Sequence, residues 1–420
     1  MSQYQQFKAR ADAKLSELDV DPNTFCVYPF VHVSTMTHGE IKLCCRGQPP
    51  KNGKNPYVQN DFDLQEYWQG DYMNSVRESL VKGERINQCK NCWKMEDNNI
   101  QSLRQMATLD HLHKPQYKEN VTQWLETGEV PFRIPLIELK LSNLCNFKCR
   151  MCWPKDSSLL WSDWDKIKHF YGDDAGYLDG VHDQAKGKRV FDMYTTNDKF
   201  MQDLSTLMKY VDQLEFAGGE PLLDPAHYDI LEAVENPEQV TLKYSTNLSR
   251  LDAGGRSVLE LWPRFKNVLL TISIDGDREG NTRIRRNSDW DTLAQNIRRV
   301  KQIPTVGKIK GTTCISAFNA LDLDKTANAV IMELGIQWHT SRLQYPQFQH
   351  ANVLPPKDLL LSIVRLEKFR DLLAVRPKQR WNILHVENAI NWLRQCVESS
   401  KHTEESYNTF LDFNRTLDGA

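Results

Sequence analysis

The chain has 420 residues, 40% of them hydrophobic, and 53 Lys and Arg against 55 Asp and Glu give a formal net charge of −2. That length predicts two units plus an appendage, and the charge balance argues against a nucleic-acid binder, which needs a basic surplus. No run approaches the roughly 20 apolar residues of a membrane span, and MSQYQQFKARADAKLSELDV at the amino terminus holds no signal-sequence core. We therefore expect a cytoplasmic protein with no membrane partner, where reducing conditions keep thiols free.

Residues 1–24 read as a polar helix and a turn at Asp21-Pro22-Asn23. From Phe25 to Cys45 the residues alternate on both sides of His38-Gly39, which predicts a β-hairpin that brings Cys26 and Cys44 together. His32 and His38 are expected to be hairpin side chains. Leu64, Tyr67, Trp68, Tyr72, Val76 and Leu80 form one apolar helical stripe, which leads to the C-x2-C pair Cys89 and Cys92. The ten cysteines gather at metal-ligand spacings rather than as a disulfide framework. Cys26, Cys44, Cys89 and Cys92 suit a zinc ribbon or an iron–sulfur centre. Cys45 is a spare, because adjacent residues project differently.

Ile137, Leu139 and Leu141 alternate with Glu138 and Lys140 as a strand, which Ser142 and Asn143 break. Cys145, Cys149 and Cys152 follow at C-x3-C-x2-C. Structural zinc normally takes four ligands, whereas an iron–sulfur cube held by three cysteines leaves one iron open. A zinc knuckle is the other reading of this spacing. The loop C-N-F-K-C-R-M-C resembles the signature of radical S-adenosylmethionine (SAM) enzymes. The resemblance implies a 4Fe–4S cluster on Cys145, Cys149 and Cys152, with the SAM methionine on its open iron. It also implies a flavodoxin- or ferredoxin-type electron donor and a 5′-deoxyadenosyl radical that abstracts hydrogen from substrate. The earlier pattern, Cys26-x12-Gly39-x4-Cys44 and then Cys89-x2-Cys92, resembles the auxiliary-cluster module called SPASM, or twitch in its single-cluster form. It implies a second iron–sulfur cluster on those four cysteines. A full SPASM module has seven cysteines and follows the barrel; this one precedes it.

Beyond Ile134 strands and helices alternate, with candidate strands at 135–142, 212–217, 239–245, 267–274, 307–316 and 335–342. The fold class expected is α/β, a partial (β/α)6 TIM-like barrel. A small cysteine-rich α+β module precedes it and a helical tail follows it. Barrel chemistry sits at the carboxyl ends of strands, and four motifs fall there. Gly218-Gly219-Glu220 resembles the family's GGE, which meets the SAM amino group, and its glycines permit close backbone approach. Ser245 and Asn247 resemble the family's polar partners of SAM, with Leu248 where glycine is usual. Ser273, Asp275 and Arg285 resemble the S-x-D-G…R pattern, in which Ser and Arg hold the SAM carboxylate and Asp lies near the ribose. Asn319 stands where a residue often faces the cofactor. Cys314 reads as core or barrel lining.

The domains expected are an extension 1–24, an auxiliary module and linker 25–130, a core 131–345 and a helical region 346–420. Residues 171–195 read as a loop insertion in the first crossover, either a lid or a surface loop. In the tail, Leu359, Ile363, Leu366 and Phe369 form one stripe and Val386, Ala389, Ile390, Leu393 and Cys396 another. These helices are expected to close the open side of the barrel or to dock a partner. The function expected is radical chemistry on a peptide or protein. A small-molecule or nucleotide substrate, and a zinc-stabilised interaction protein without catalysis, are the rival readings.

Overall fold

Some strands alternate between buried and half-exposed residues, and others are buried throughout. The computed structural model describes residues 3–51, 56–58, 62–184 and 187–419. In chain order its principal strands are β1 (His32–Thr35), β2 (Ile41–Lys42), β3 (Leu136–Leu139), β4 (Gln213–Phe216), β5 (Thr241–Thr246), β6 (Asn267–Ser273), β7 (Val306–Ile315) and β8 (Gln337–Arg342). All six strands expected beyond Ile134 are present, as β3 to β8. They belong to one eight-stranded, mostly parallel sheet in the order β8-β7-β6-β5-β4-β3-β1-β2. The fold is α/β, and β3 to β8 succeed one another in sheet order as in a partial (β/α)6 barrel. Among the described residues no helix is long and apolar enough to cross a membrane.

By internal contacts the chain divides into two units, one of residues 1–142, 192–216 and 226–242, the other of 143–191, 217–225 and 243–420. In the first unit β3 pairs in parallel with β1 and with β4, and β2 joins β1 antiparallel with Ser34 opposite Lys42. The hairpin is shorter than its alternation predicts. Tyr28–Val31 turns as a helix, with Pro29 in its first turn where a missing N–H is harmless, and the ladder begins only at His32. Gly39 carries φ +90 in the turn, a conformation that favours glycine. The stripe from Leu64 to Leu80 is two helices, Leu64–Gln69 and Asp71–Val81, and not one. Gly70 divides them: its backbone is extended, and a Cβ there would lie 2.5 Å from the Glu66 carbonyl oxygen.

In the second unit β6, β7 and β8 run parallel, with Ser273 opposite Thr312 and Thr312 opposite His339. Val268, Leu270 and Ile272 of β6 are fully buried, while Leu269, Thr271 and Ser273 between them are half exposed. Gly311 faces the buried side of β7, where a Cβ would meet Val330 at 2.8 Å. The segment 171–195 differs from its expectation as a loop. About half of it is a helix, Asp173–Gln184, seated by the buried Leu178 and Val181; Ala185 and Lys186 lie outside the described residues. The tail forms three helices, Pro356–Ala374, Arg380–Glu398 and Glu404–Asp418. The middle one lies along the free edge of β8. Asn382 Oδ1 accepts from the Trp338 N–H at 2.8 Å, His385 Nδ1 from the Thr340 N–H at 3.4 Å, and Trp381 Nε1 donates to the Trp338 carbonyl at 3.0 Å. These side chains take the place of a neighbouring strand.

Candidate functional site

The Cys145–Cys152 loop lies in the second unit and is held from beneath by Asn143, which is fully buried. Its Nδ2 donates to the carbonyls of Pro154 and Arg189, both at 3.0 Å, and its Oδ1 accepts from the Phe191 N–H at 2.9 Å. Ser157 Oγ donates to the Phe147 carbonyl at 2.7 Å. Lys148–Cys149 forms a two-residue antiparallel ladder with Arg285–Arg286, which draws the strand-end arginines onto the loop. Cys145 and Cys149 pack in one apolar group with Phe147, Met151 and Cys152. Burial pushes the Cys145 thiol up to about 12, and the proximity of Cys149 adds to the rise. Cys149 and Cys152 are raised by burial too, and Cys152 feels both other sulfurs. Thiols whose ionisation burial opposes suit a cationic metal centre, which reverses that penalty and holds them as thiolates.

Gly218-Gly219-Glu220 docks on this loop. The Glu220 N–H donates to the Leu144 carbonyl at 2.7 Å, and a Cβ on Gly219 would lie 2.2 Å from that same oxygen. The glycine thus gives room to the cysteine loop, a closer demand than the ligand approach its motif predicts. Gly218 has φ +112, open to glycine alone without strain. Glu220 is 1% exposed. Its carboxylate accepts from Thr246 Oγ1 at 2.5 Å, the Asn247 N–H at 2.6 Å and the Leu222 N–H at 3.2 Å. Burial pushes its carboxyl up to about 7 in spite of these donors.

Asn247 reaches the loop, its Nδ2 donating to Asn146 Oδ1 at 3.1 Å. Ser245 is exposed at the end of β5, and Ser273 is half-buried at the end of β6. Leu248 has φ +52, the left-handed conformation that explains why its position suits glycine. Asp275 is fully buried. Its Oδ1 accepts from the Cys314 N–H at 2.7 Å, and its Oδ2 pairs with Arg285 Nη2 at 2.6 Å. Arg285 Nη1 stands 3.6 Å from Cys149 Sγ. Asn319 Nδ2 donates to the carbonyls of Asp275 and Cys314 at 3.1 and 3.0 Å. A cavity of about 350 Å³, within the range of small-molecule sites, opens beside these groups between Asp275, Arg283, Ile284, Phe318 and Asn319. All the nominated residues of this site lie in one unit. Sequence reasoning missed Asn143 and Thr246. The second stands inside a motif, one place before Asn247, so the motif itself was the available signal.

In the first unit a pocket is walled by Cys26, Cys44, Cys89 and Cys92 with Tyr28 and Arg104. Burial raises all four thiols, and Cys89 is raised further by Cys26, Cys44 and Cys92. Cys45 is exposed and lies outside that lining. His32 stacks on Tyr28 and bonds the Leu43 carbonyl through Nδ1 at 3.1 Å, while His38 lies 3.5 Å from Glu40. Among the described residues no three His, Cys, Asp or Glu side chains converge as around a single metal ion.

Residues 139–326 match the family described as the Radical SAM superfamily. No curated protein matches the chain. Among solved structures the chain is similar to anSMEcpe with bound AdoMet and a Kp18Cys peptide, at 15% identity over 56% of this chain and 58% of that one, TM-score 0.37. It is similar also to SuiB of Streptococcus suis bound to S-adenosylmethionine, at 14% identity over 73% of this chain and 63% of that one, TM-score 0.34. A third is TYW1 with a lysine-pyruvate adduct, at 15% identity over 62% and 78%, TM-score 0.29. The chain thus spans less than two thirds of anSMEcpe and of SuiB, and likenesses this distant carry no argument about substrate. Over residues 139–326, which include the cysteine loop and the strand-end motifs around it, the chain matches a radical SAM domain.

Proposed function

We propose that the protein cleaves SAM at a 4Fe–4S cluster on Cys145, Cys149 and Cys152 and directs the radical to a peptide or protein substrate. The observation that supports this reading most is that the loop of Cys145, Cys149 and Cys152 packs with the Gly219-Glu220 backbone and with Arg285 in one unit. When bound, the cluster and SAM supply a one-electron cleavage that yields methionine and the 5′-deoxyadenosyl radical; the protein supplies binding, orientation and exclusion of side reactions.

Each residue then has a task. Glu220 receives the SAM amino group. Arg285 and Ser273 receive its carboxylate, and Asp275 fixes the Arg285 guanidinium and lies toward the ribose. Asn247 and Asn319 hold the strand ends in place, and Ser245 faces polar groups of SAM. Gly218 and Gly219 let the Glu220 backbone reach the loop. Cys26, Cys44, Cys89 and Cys92 hold an auxiliary iron–sulfur cluster that accepts the electron left on substrate, in a module spanning about 25–130 before a core of 131–345. A flavodoxin- or ferredoxin-type protein in the cytoplasm supplies the first electron. Substrates of the small-molecule or nucleotide class are the competing outcome.

Anaerobic purification with iron and sulfide analysis, followed by dithionite and SAM, tests the reading. Iron for two clusters and release of 5′-deoxyadenosine are expected, and replacing Cys145, Cys149 and Cys152 by alanine should abolish the release. Zinc in place of iron after anaerobic reconstitution, with no SAM cleavage, would sink it.

A further inference from the structure

Arg150 lies between Cys149 and Cys152, yet its side chain turns away from the sulfurs. It is only 5% exposed. Its Nε donates to the Arg283 carbonyl at 2.9 Å, its Nη1 to Asn414 Oδ1 at 3.0 Å and to the Asn414 carbonyl at 3.4 Å, and its Nη2 pairs with Asp418. Arg286, on the short strand paired with Lys148–Cys149, behaves in the same way. Its Nε donates to the Lys148 carbonyl at 3.0 Å, its Nη2 to Asp163 at 2.7 Å and its Nη1 to the Leu417 carbonyl at 3.4 Å. Asn414, Leu417 and Asp418 end the last helix, Glu404–Asp418. The Leu417 carbonyl, in the last turn where no helical N–H follows, and the partial negative charge of that helix end attract both guanidiniums. Phe410 and Phe413 of the same helix are buried, with Phe413 5.0 Å from the Phe348 ring.

We propose that this last helix is a strap on the cysteine loop and that Arg150 and Arg286 are positioning residues. Through them the helix end fixes Cys149 and Arg285 without touching either. The two arginines flank the Lys148–Cys149 and Arg285–Arg286 ladder, so a displaced helix end moves a proposed cluster ligand and the proposed SAM-carboxylate ligand together. This inference rests on the function proposed above. Groups that orient the ligands of a metal centre typically change affinity or activity about 10- to 100-fold when removed.

The test uses the full chain, reconstituted anaerobically, in a Cys89→Ala/Cys92→Ala background so that one cluster is observed. SAM is titrated against the dithionite-reduced cluster and followed by electron paramagnetic resonance. Arg150→Met is expected to weaken SAM about tenfold or more, to alter the spectrum that SAM induces and to leave the melting temperature close to that of the parent. Arg150→Lys should recover part of the affinity. Asp418→Asn, at a side chain 53% exposed, provides a variant that keeps the fold if Arg150→Met does not, and is expected to shift SAM affinity in the same direction. Unchanged affinity and spectrum in both Arg150→Met and Asp418→Asn would overturn the strap while leaving the cluster reading intact. Loss of affinity only in proportion to lost melting temperature, with no recovery in Arg150→Lys, would overturn it as well. Parent protein that takes up no iron would sink the cluster reading itself, and the strap with it.

Discussion

Glu220 is buried where water cannot stabilise a charge, and that burial outweighs the donors from Thr246, Asn247 and Leu222 to place its carboxyl at about 7. The N–H of an amino group is held more strongly by the ionised carboxylate, so the proposed contact makes SAM binding depend on pH. Affinity should rise by up to about tenfold per unit as pH increases toward 7 and level off above it. In Glu220→Gln the dependence should flatten and binding at pH 8 should be weaker. Anaerobic SAM titrations from pH 6 to 8.5 check this, and an unchanged slope in Glu220→Gln would remove the residue from SAM recognition. Gly219→Ala tests the adjoining contact. Its new methyl meets the Leu144 carbonyl oxygen at 2.2 Å, so the loop must shift, and a loss of about 1–3 kcal/mol in denaturant unfolding is expected together with lower iron content. At this scale the sequence was informative where spacing carries the signal, as in the cysteines and the glycines. Thr246 was missed as the partner of Glu220 because a hydrogen bond across 26 residues leaves no periodic trace.

Elements were legible in proportion to the length of their pattern. All six strands expected after Ile134 are present; β6 buries one row of side chains and half-exposes the next, whereas β3 is buried along its whole length. The expectations that failed concern breaks and weak stripes. A single glycine split the helix after Leu64, and Leu178 with Val181 sufficed to seat a helix in a stretch that glycines and charges made look like a loop. The β8 edge could not be foreseen in detail, since the bonds from Trp381, Asn382 and His385 depend on tertiary placement. It has a titratable consequence. Burial, His385, Lys310 and Lys308 push His339 down to about 4, and His385 is lowered by burial and the same lysines. A histidine whose folded value lies below the ordinary 6.5 binds its proton more readily once unfolded. The stability it contributes is therefore complete above about 6.5 and declines as pH falls toward about 4. Melting temperature should fall across that window, and less steeply in His339→Gln; an identical slope in the variant would assign the acid sensitivity to other groups.

At the scale of the whole molecule the two cysteine groups lie in different contact units, Cys26, Cys44, Cys89 and Cys92 in one and Cys145, Cys149 and Cys152 in the other. Loss of one centre should therefore leave the other in place. The variant Cys89→Ala/Cys92→Ala is expected to lose about half of its iron and still release 5′-deoxyadenosine, while product formation on the native substrate stops. Iron analysis and product assays separate these outcomes, and loss of 5′-deoxyadenosine release in that variant would show that the centres are not independent. The covered edge of β8 also bears on how the chain comes to be folded. During translation the strand leaves the ribosome about 40 residues before the helix that shields it, and at about 5–20 residues per second that gap lasts seconds. Through that interval a nascent chain presents open N–H and C=O groups to any other extended segment, a recognised route to aggregation. Low yields of this protein are then expected to respond to slower synthesis and to chaperones rather than to changes at its cysteines.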